Sequence, residues 1–149
     1  MNRLVNIGCG PYPKENHINI DINPRHKPDV CRDVRKGLPF DDNSVDGILA
    51  SHFLEHLLPE DMIDVLAECY RVLKNGCHVS VVVPLGDPYS IDHLQQFAEW
   101  SFDPMAFEET ADYYQSKFRW KMEDKVKRGP TKGGVADLPS LHFKLVAVK

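Results

Sequence analysis

Four cysteines stand far apart in this chain, at Cys9, Cys31, Cys69 and Cys77, and none forms a Cys-x-x-Cys pair. That argues against a disulfide scaffold, and reduced thiols in a cytoplasmic protein are expected. No apolar run approaches the ~20 residues of a membrane span, so no membrane partner is expected. A basic excess is also missing. The net charge is −4, which gives no field for nucleic acid, and nucleic acid is not an expected partner. The first apolar run begins almost at the amino terminus, read as leaving no room for a signal peptide. No repeat or low-complexity segment is visible. With 149 residues, 42% hydrophobic and 27% charged, the chain reads as one ordinary globular domain over 1–149.

One further shortage concerns space. Leu4-Val5-Asn6-Ile7 is a short apolar run that ends in Gly8-Cys9-Gly10, and a second, Ile18-Asn19-Ile20, ends in Asp21. Strand, glycine turn, strand and carboxylate is the layout of a nucleoside-binding α/β fold. The glycines permit close backbone approach, and the carboxylate can take ribose hydroxyls. Gly10 and Asp21 are only eleven positions apart, with Pro11 and Pro13 between them. A crossover helix needs about a dozen residues. The helix usual after a glycine turn is therefore expected to be missing or reduced to a turn, with the two strands still neighbours.

What is present is a run of alternating elements. Val30–Val34 reads as a short third strand ending near Asp33, residues 38–44 as a turn, and Val45–Ser51 as a fourth strand. A helix is expected over 59–74. Pro59 suits its first position, Glu60 and Asp61 suit the positive end of its dipole, and Lys74-Asn75-Gly76 is a stop. Met62, Val65, Leu66, Cys69, Val72 and Leu73 recur at helical spacing. Val79–Val83 reads as a strand buried on both faces. One or two helices are expected in 90–116. Alternation at Phe118, Trp120 and Met122 signals a strand, and Leu141–Val148 a closing one.

In this order the motifs resemble the class I S-adenosylmethionine-dependent methyltransferases, most closely the small type 11 group. The resemblance rests on Asn6-Ile7-Gly8-Cys9-Gly10, Ile20-Asp21, Asp33 with Leu38-Pro39-Phe40, and Asp42-Asn43-Ser44-Val45-Asp46. It continues through Ser51-His52-Phe53-Leu54-Glu55-His56-Leu57 and Arg71-Val72-Leu73-Lys74-Asn75-Gly76. It implies a Rossmann-like doubly wound sheet of seven strands, mostly parallel with the last strand antiparallel. It also implies S-adenosyl-L-methionine as cofactor, at the carboxyl ends of the strands. Gly8, Cys9 and Gly10 would pass under the methionyl part, and Asp21, with Ile22 beside it, would hold the ribose. Asp33 and Val34 would border the adenine, and Ser51 and His52 would lie beside the sulfonium. Three departures stand out. Asn6 replaces a usual acid, its amide still able to hydrogen-bond near the cofactor's amino group, Pro11 and Tyr12 replace a third glycine, and the first helix is reduced or missing.

Methyl transfer needs an aligned acceptor, sometimes with a base to remove a proton. His52, His56 and His93 are the candidate catalytic residues. His52-Phe53-Leu54-Glu55-His56 also has H-x-x-E-H spacing, a zinc pattern. No third ligand is placed by sequence, so no metal is expected. The basic stretch Lys117–Lys132 is read as an edge strand, with a phosphate-binding surface as its rival. Trp100, Phe102, Tyr113 and Tyr114 are read as core, with an acceptor pocket as the alternative. The function expected is methyl transfer to a small-molecule acceptor, and a homodimer is compatible with it. A non-catalytic S-adenosylmethionine-binding subunit is the alternative, and a metal hydrolase on His52, Glu55 and His56 ranks last.

Overall fold

The computed structural model describes residues 2–86, 93, 95, 97–98, 120–129 and 139–149. The helices expected in 90–116, the aromatics Trp100, Phe102, Tyr113 and Tyr114, and Lys117, Arg119 and Lys132 of the basic stretch lie outside these residues.

Seven strands form one sheet: β1 (Leu4–Ile7), β2 (Ile18–Asp21), β3 (Val30–Cys31), β4 (Gly47–Ser51), β5 (His78–Pro84), β6 (Trp120–Arg128) and β7 (Ser140–Ala147). Their order across the sheet is β3-β2-β1-β4-β5-β7-β6. The first five run parallel, and β7 is antiparallel to both β5 and β6. The order reverses at β1, which has β2 on one side and β4 on the other, so a crevice opens at the carboxyl ends of these strands.

The apolar run of β1 makes it central. Val5 and Ile7 are fully buried and pair with β2, Val5 facing Ile18 and Ile7 facing Ile20. The single long helix among the described residues, α1 (Pro59–Val72), turns Met62, Val65, Leu66, Cys69 and Val72 inward. These side chains share one core with β1, β4 and β5. The helix ends two residues before the expected Lys74. Leu73 leaves helical geometry to bridge Val45 and bury its side chain completely. Since Val45 is taken up by that bridge, β4 begins at Gly47 and not at Val45.

The expected third strand is also cut short, at Cys31. Asp33 turns its side chain back to accept from Arg35 N and caps a 3₁₀ turn over Val34–Lys36. No helix occupies residues 11–17, and β1 and β2 still pair. β6 is the edge strand at the end of the sheet. A bulge between Glu123 and Val126 interrupts it, with Asp124 at φ 53°. Bulges and surface lysines are devices that blunt an open edge.

Arg71 locks the turn before β4 onto α1. Its guanidinium donates to both Glu68 oxygens at 2.8 Å, to Asp42 Oδ1 at 2.7 Å and to the Phe40 and Leu38 carbonyls. Glu68 in turn accepts from Leu38 N at 2.8 Å. The Leu38–Phe40 and Arg71–Gly76 motifs are therefore scaffold, and they aim β4 at the crevice.

Candidate functional site

At the carboxyl ends of β1, β2 and β4 lies a cavity of about 820 Å³. Asn6, Gly8, Cys9 and Gly10 line it from β1 and its turn. Asp21, Ile22, Asp33 and Val34 line it from β2 and beyond β3, and Ser51, His52 and His56 from β4 and the turn after it. The fold thus brings together every residue expected to contact the cofactor. His93 lies off that wall, its ring centroid 4.9 Å from that of His56.

Positive φ shapes the glycine turn. Gly8 has φ 62° and Gly10 φ 53°, angles that suit glycine. A Cβ on Gly8 would stand 2.1 Å from the Phe53 ring, so that ring closes over the turn. A Cβ on Gly10 would meet nothing within 4 Å, which makes Gly10 the open part of the cradle.

Residues 11–17, where a helix is missing, are held by one side chain. Asn19 Oδ1 accepts from Lys14 N at 2.7 Å, and its Nδ2 donates to the Lys14 and His17 carbonyls and to Asp29 Oδ2. Asn6 Nδ2 donates to the same Asn19 oxygen at 2.9 Å, deep in the fold. The amide that replaces the family's acid therefore belongs to the loop's anchor. Sequence reading missed this role for Asn19. An asparagine within an otherwise apolar strand was the available signal.

Asp21 is 9% exposed. Its Oδ2 accepts from Gly10 N at 2.8 Å, and its Oδ1 from Asn23 N at 2.8 Å, with His26 Nδ1 3.1 Å away. Burial pushes its acidity down, but the Asn23 and Gly10 amides and the His26 ring outweigh that and hold the carboxyl below its ordinary range. A carboxylate offers about four acceptor positions. Three are engaged here, so gripping two hydroxyls requires His26 to turn aside. Asp33 is similarly engaged. Arg35 Nε and Nη2 both reach it at 2.9 Å, and the Arg35 side chain holds it ionised below the usual range. Cys9 is buried, and that burial, with the Asp21 charge, raises its thiol pKa, which disfavours a nucleophilic role.

His52 follows β4 with φ 50°, tied by its own N–H to the Val82 carbonyl at 2.8 Å. Its Nδ1 stands 3.5 Å from Oε1 of Glu55, and this pairing raises the imidazole's pKa. The Leu54–His56 3₁₀ turn then buries Glu55 completely and leaves His56 partly exposed on the cavity wall. Gln95 straps the turn down by donating from its backbone to the Glu55 carbonyl at 3.2 Å and from Nε2 to the Leu57 carbonyl at 2.7 Å.

The family model described as "Methyltransferase domain" matches residues 12–81. No curated protein matches the chain by sequence. Among solved structures, the fold is similar to that of a methyltransferase from Archaeoglobus fulgidus described as SAM-dependent. That likeness has 21% identity and a TM-score of 0.60, over 97% of this chain and 86% of that one. A Methanosarcina mazei protein described in the same way is similar at 15% identity and TM-score 0.66, over 99% and 93% of the two chains. The 1,6-didemethyltoxoflavin-N1-methyltransferase of Burkholderia thailandensis, solved with 1,6-didemethyltoxoflavin and S-adenosylhomocysteine, is similar at 15% identity and TM-score 0.67, over 98% and 71%.

Proposed function

We propose that the chain is a class I S-adenosylmethionine-dependent methyltransferase of the type 11 group and that it methylates a small molecule in the cavity over Gly8–Gly10. One observation carries this reading. A single cavity gathers the open glycine turn, the Asp21 and Asp33 carboxylates, and the imidazoles of His52 and His56. When bound, the cofactor supplies an activated methyl group on a sulfonium.

The chain's own residues would do the rest. Gly8 and Gly10 would let the backbone approach the methionyl part, Asp21 would accept from the ribose, and Asp33 and Val34 would border the base. The open space over Gly10 fits such a group, since a side chain there would fill it. Exposed Ile22, at the rim, offers an apolar edge. Ser51 and His52 end the strand on the acceptor side. An acceptor that must lose a proton would find an imidazole on His52 or His56 at the wall, with His93 behind. The partly enclosed cavity and the net charge of −4 favour a small molecule over a nucleic acid. A cytoplasmic setting belongs to the same reading and is supported by four unpaired cysteines.

Calorimetry with S-adenosylhomocysteine tests the site. The unaltered protein should bind it, and Asp21→Ala should weaken binding by about 1.5–3 kcal/mol, the worth of hydrogen bonds to a charged group. Unchanged affinity in that variant would refute the ribose assignment. Turnover with a panel of hydroxyl- and amine-bearing acceptors then separates an enzyme from a binding subunit.

A further inference from the structure

We infer that Glu55, His56 and His93 form a binding site for one divalent transition-metal ion of the zinc type, beside the methyl-transfer cavity.

The argument starts with Glu55. Its side chain is fully buried, and neither carboxylate oxygen accepts a hydrogen bond. A buried carboxylate without such a bond costs several kcal/mol unless a cation compensates it. His52 Nδ1 reaches only Oε1, at 3.5 Å and too far for a good hydrogen bond, so Oε2 has no hydrogen-bond partner. One donor atom each from Glu55, His56 and His93 lies within 4.8 Å of the other two. Tetrahedral zinc with bonds of about 2.0–2.1 Å places its ligands ~3.4 Å apart, so donors up to 4.8 Å apart need close by at most about 1.4 Å.

The donor chemistry narrows the ion. Two imidazoles and one carboxylate suit zinc and its first-row neighbours. Magnesium and calcium prefer oxygen donors. Three protein ligands leave a coordination position open, the arrangement of catalytic and not structural zinc sites. Gln95, two positions after His93, is hydrogen-bonded to the turn that carries the other two ligands. The sequence expectation of no metal rested on the lack of a third ligand after H-x-x-E-H. The fold supplies one in His93, thirty-seven positions beyond His56. A cation there would occupy the His56 and His93 nitrogens that it uses and leave His52 to handle a proton.

This inference goes beyond the methyl-transfer reading and is tested apart from it. The full chain, freed of metal with a chelator, is titrated with Zn²⁺ by calorimetry and with Co²⁺ by visible absorption. One ion per chain is expected, with a rise in thermal midpoint. His93→Asn should weaken Zn²⁺ binding by more than about 10-fold, as should Glu55→Gln, while the distant His17→Ala should not change it. Should Glu55→Gln fail to fold, His93→Asn alone decides. Absent binding to the unaltered protein, or affinity unchanged in His93→Asn, would overturn the site. S-adenosylhomocysteine binding is read in a separate titration, so either conclusion can fail while the other stands.

Discussion

Two connections, one following β1 and one following its neighbour β4, are built from different forces. The β4–β5 connection, residues 52–77, contains α1 and fixes itself by burying one apolar stripe in the core. The β1–β2 connection, residues 8–17, has no helix and is fixed by hydrogen bonds, those of buried Asn19 together with that of Asp21 to Gly10 N. A helix spreads its hold over many weak contacts. The shortened loop concentrates its hold in a few hydrogen bonds, several of them made by Asn19. The glycine turn proposed to cradle the cofactor is therefore on the side more vulnerable to a single polar substitution, and the scaffold on the side more vulnerable to a cavity.

The largest effect is expected on the scaffold. Leu66 on α1 is fully buried, and Leu66→Ala should cost about 2–5 kcal/mol in denaturant unfolding. A loss under about 1 kcal/mol would mean that the helix packs more loosely than its burial implies. Next comes the loop. Asn19→Ala strips partners from Lys14 N, Asn6 and Asp29 together and should cost about 1–3 kcal/mol. Its diagnostic sign is that S-adenosylhomocysteine affinity falls with stability, whereas Leu66→Ala at a temperature where it remains folded should bind almost normally. Equal loss of binding in both variants would erase the contrast between the two connections.

The smallest effect concerns pH. The Arg71 side chain holds Glu68 ionised below its ordinary range, outweighing the opposing effect of burial. A carboxyl with a lowered folded-state pKa contributes stability above its unfolded value, near 4.5, and loses it as pH falls through the folded value. Unfolding free energy should therefore drop on acidification below about pH 4.5, and Glu68→Gln should flatten that part of the profile. An unchanged profile would show that the Arg71 cluster is solvated and adds little.

Local pattern revealed the elements whose reasons are local. The glycine turn, the edge of β2 at Asp21 and the start of α1 at Pro59 each depend on a few adjacent residues. The ends of elements were harder where distant partners decide them. Leu73 leaves the helix because Val45 meets it, and β3 stops because Asp33 prefers to cap a turn. In the candidate site, the cavity wall was legible because its residues sit directly after strands. The His93 neighbourhood was not, since only the folded path of the chain carries His93 to Glu55 and His56.

The sheet order also constrains how the protein is made. β7 lies between β5 and β6, both earlier in the chain. Until residues 140–147 have left the ribosome, β5 offers an unpaired backbone edge and β6 has no sheet to join. Val79, Val81 and Val83 make that edge rich in β-branched side chains, a template for pairing with another nascent chain. The final closure is a long-range event, and such pairings form slowly. Yield in the cell should therefore depend on how quickly β7 is delivered, or on a chaperone that covers β5 meanwhile.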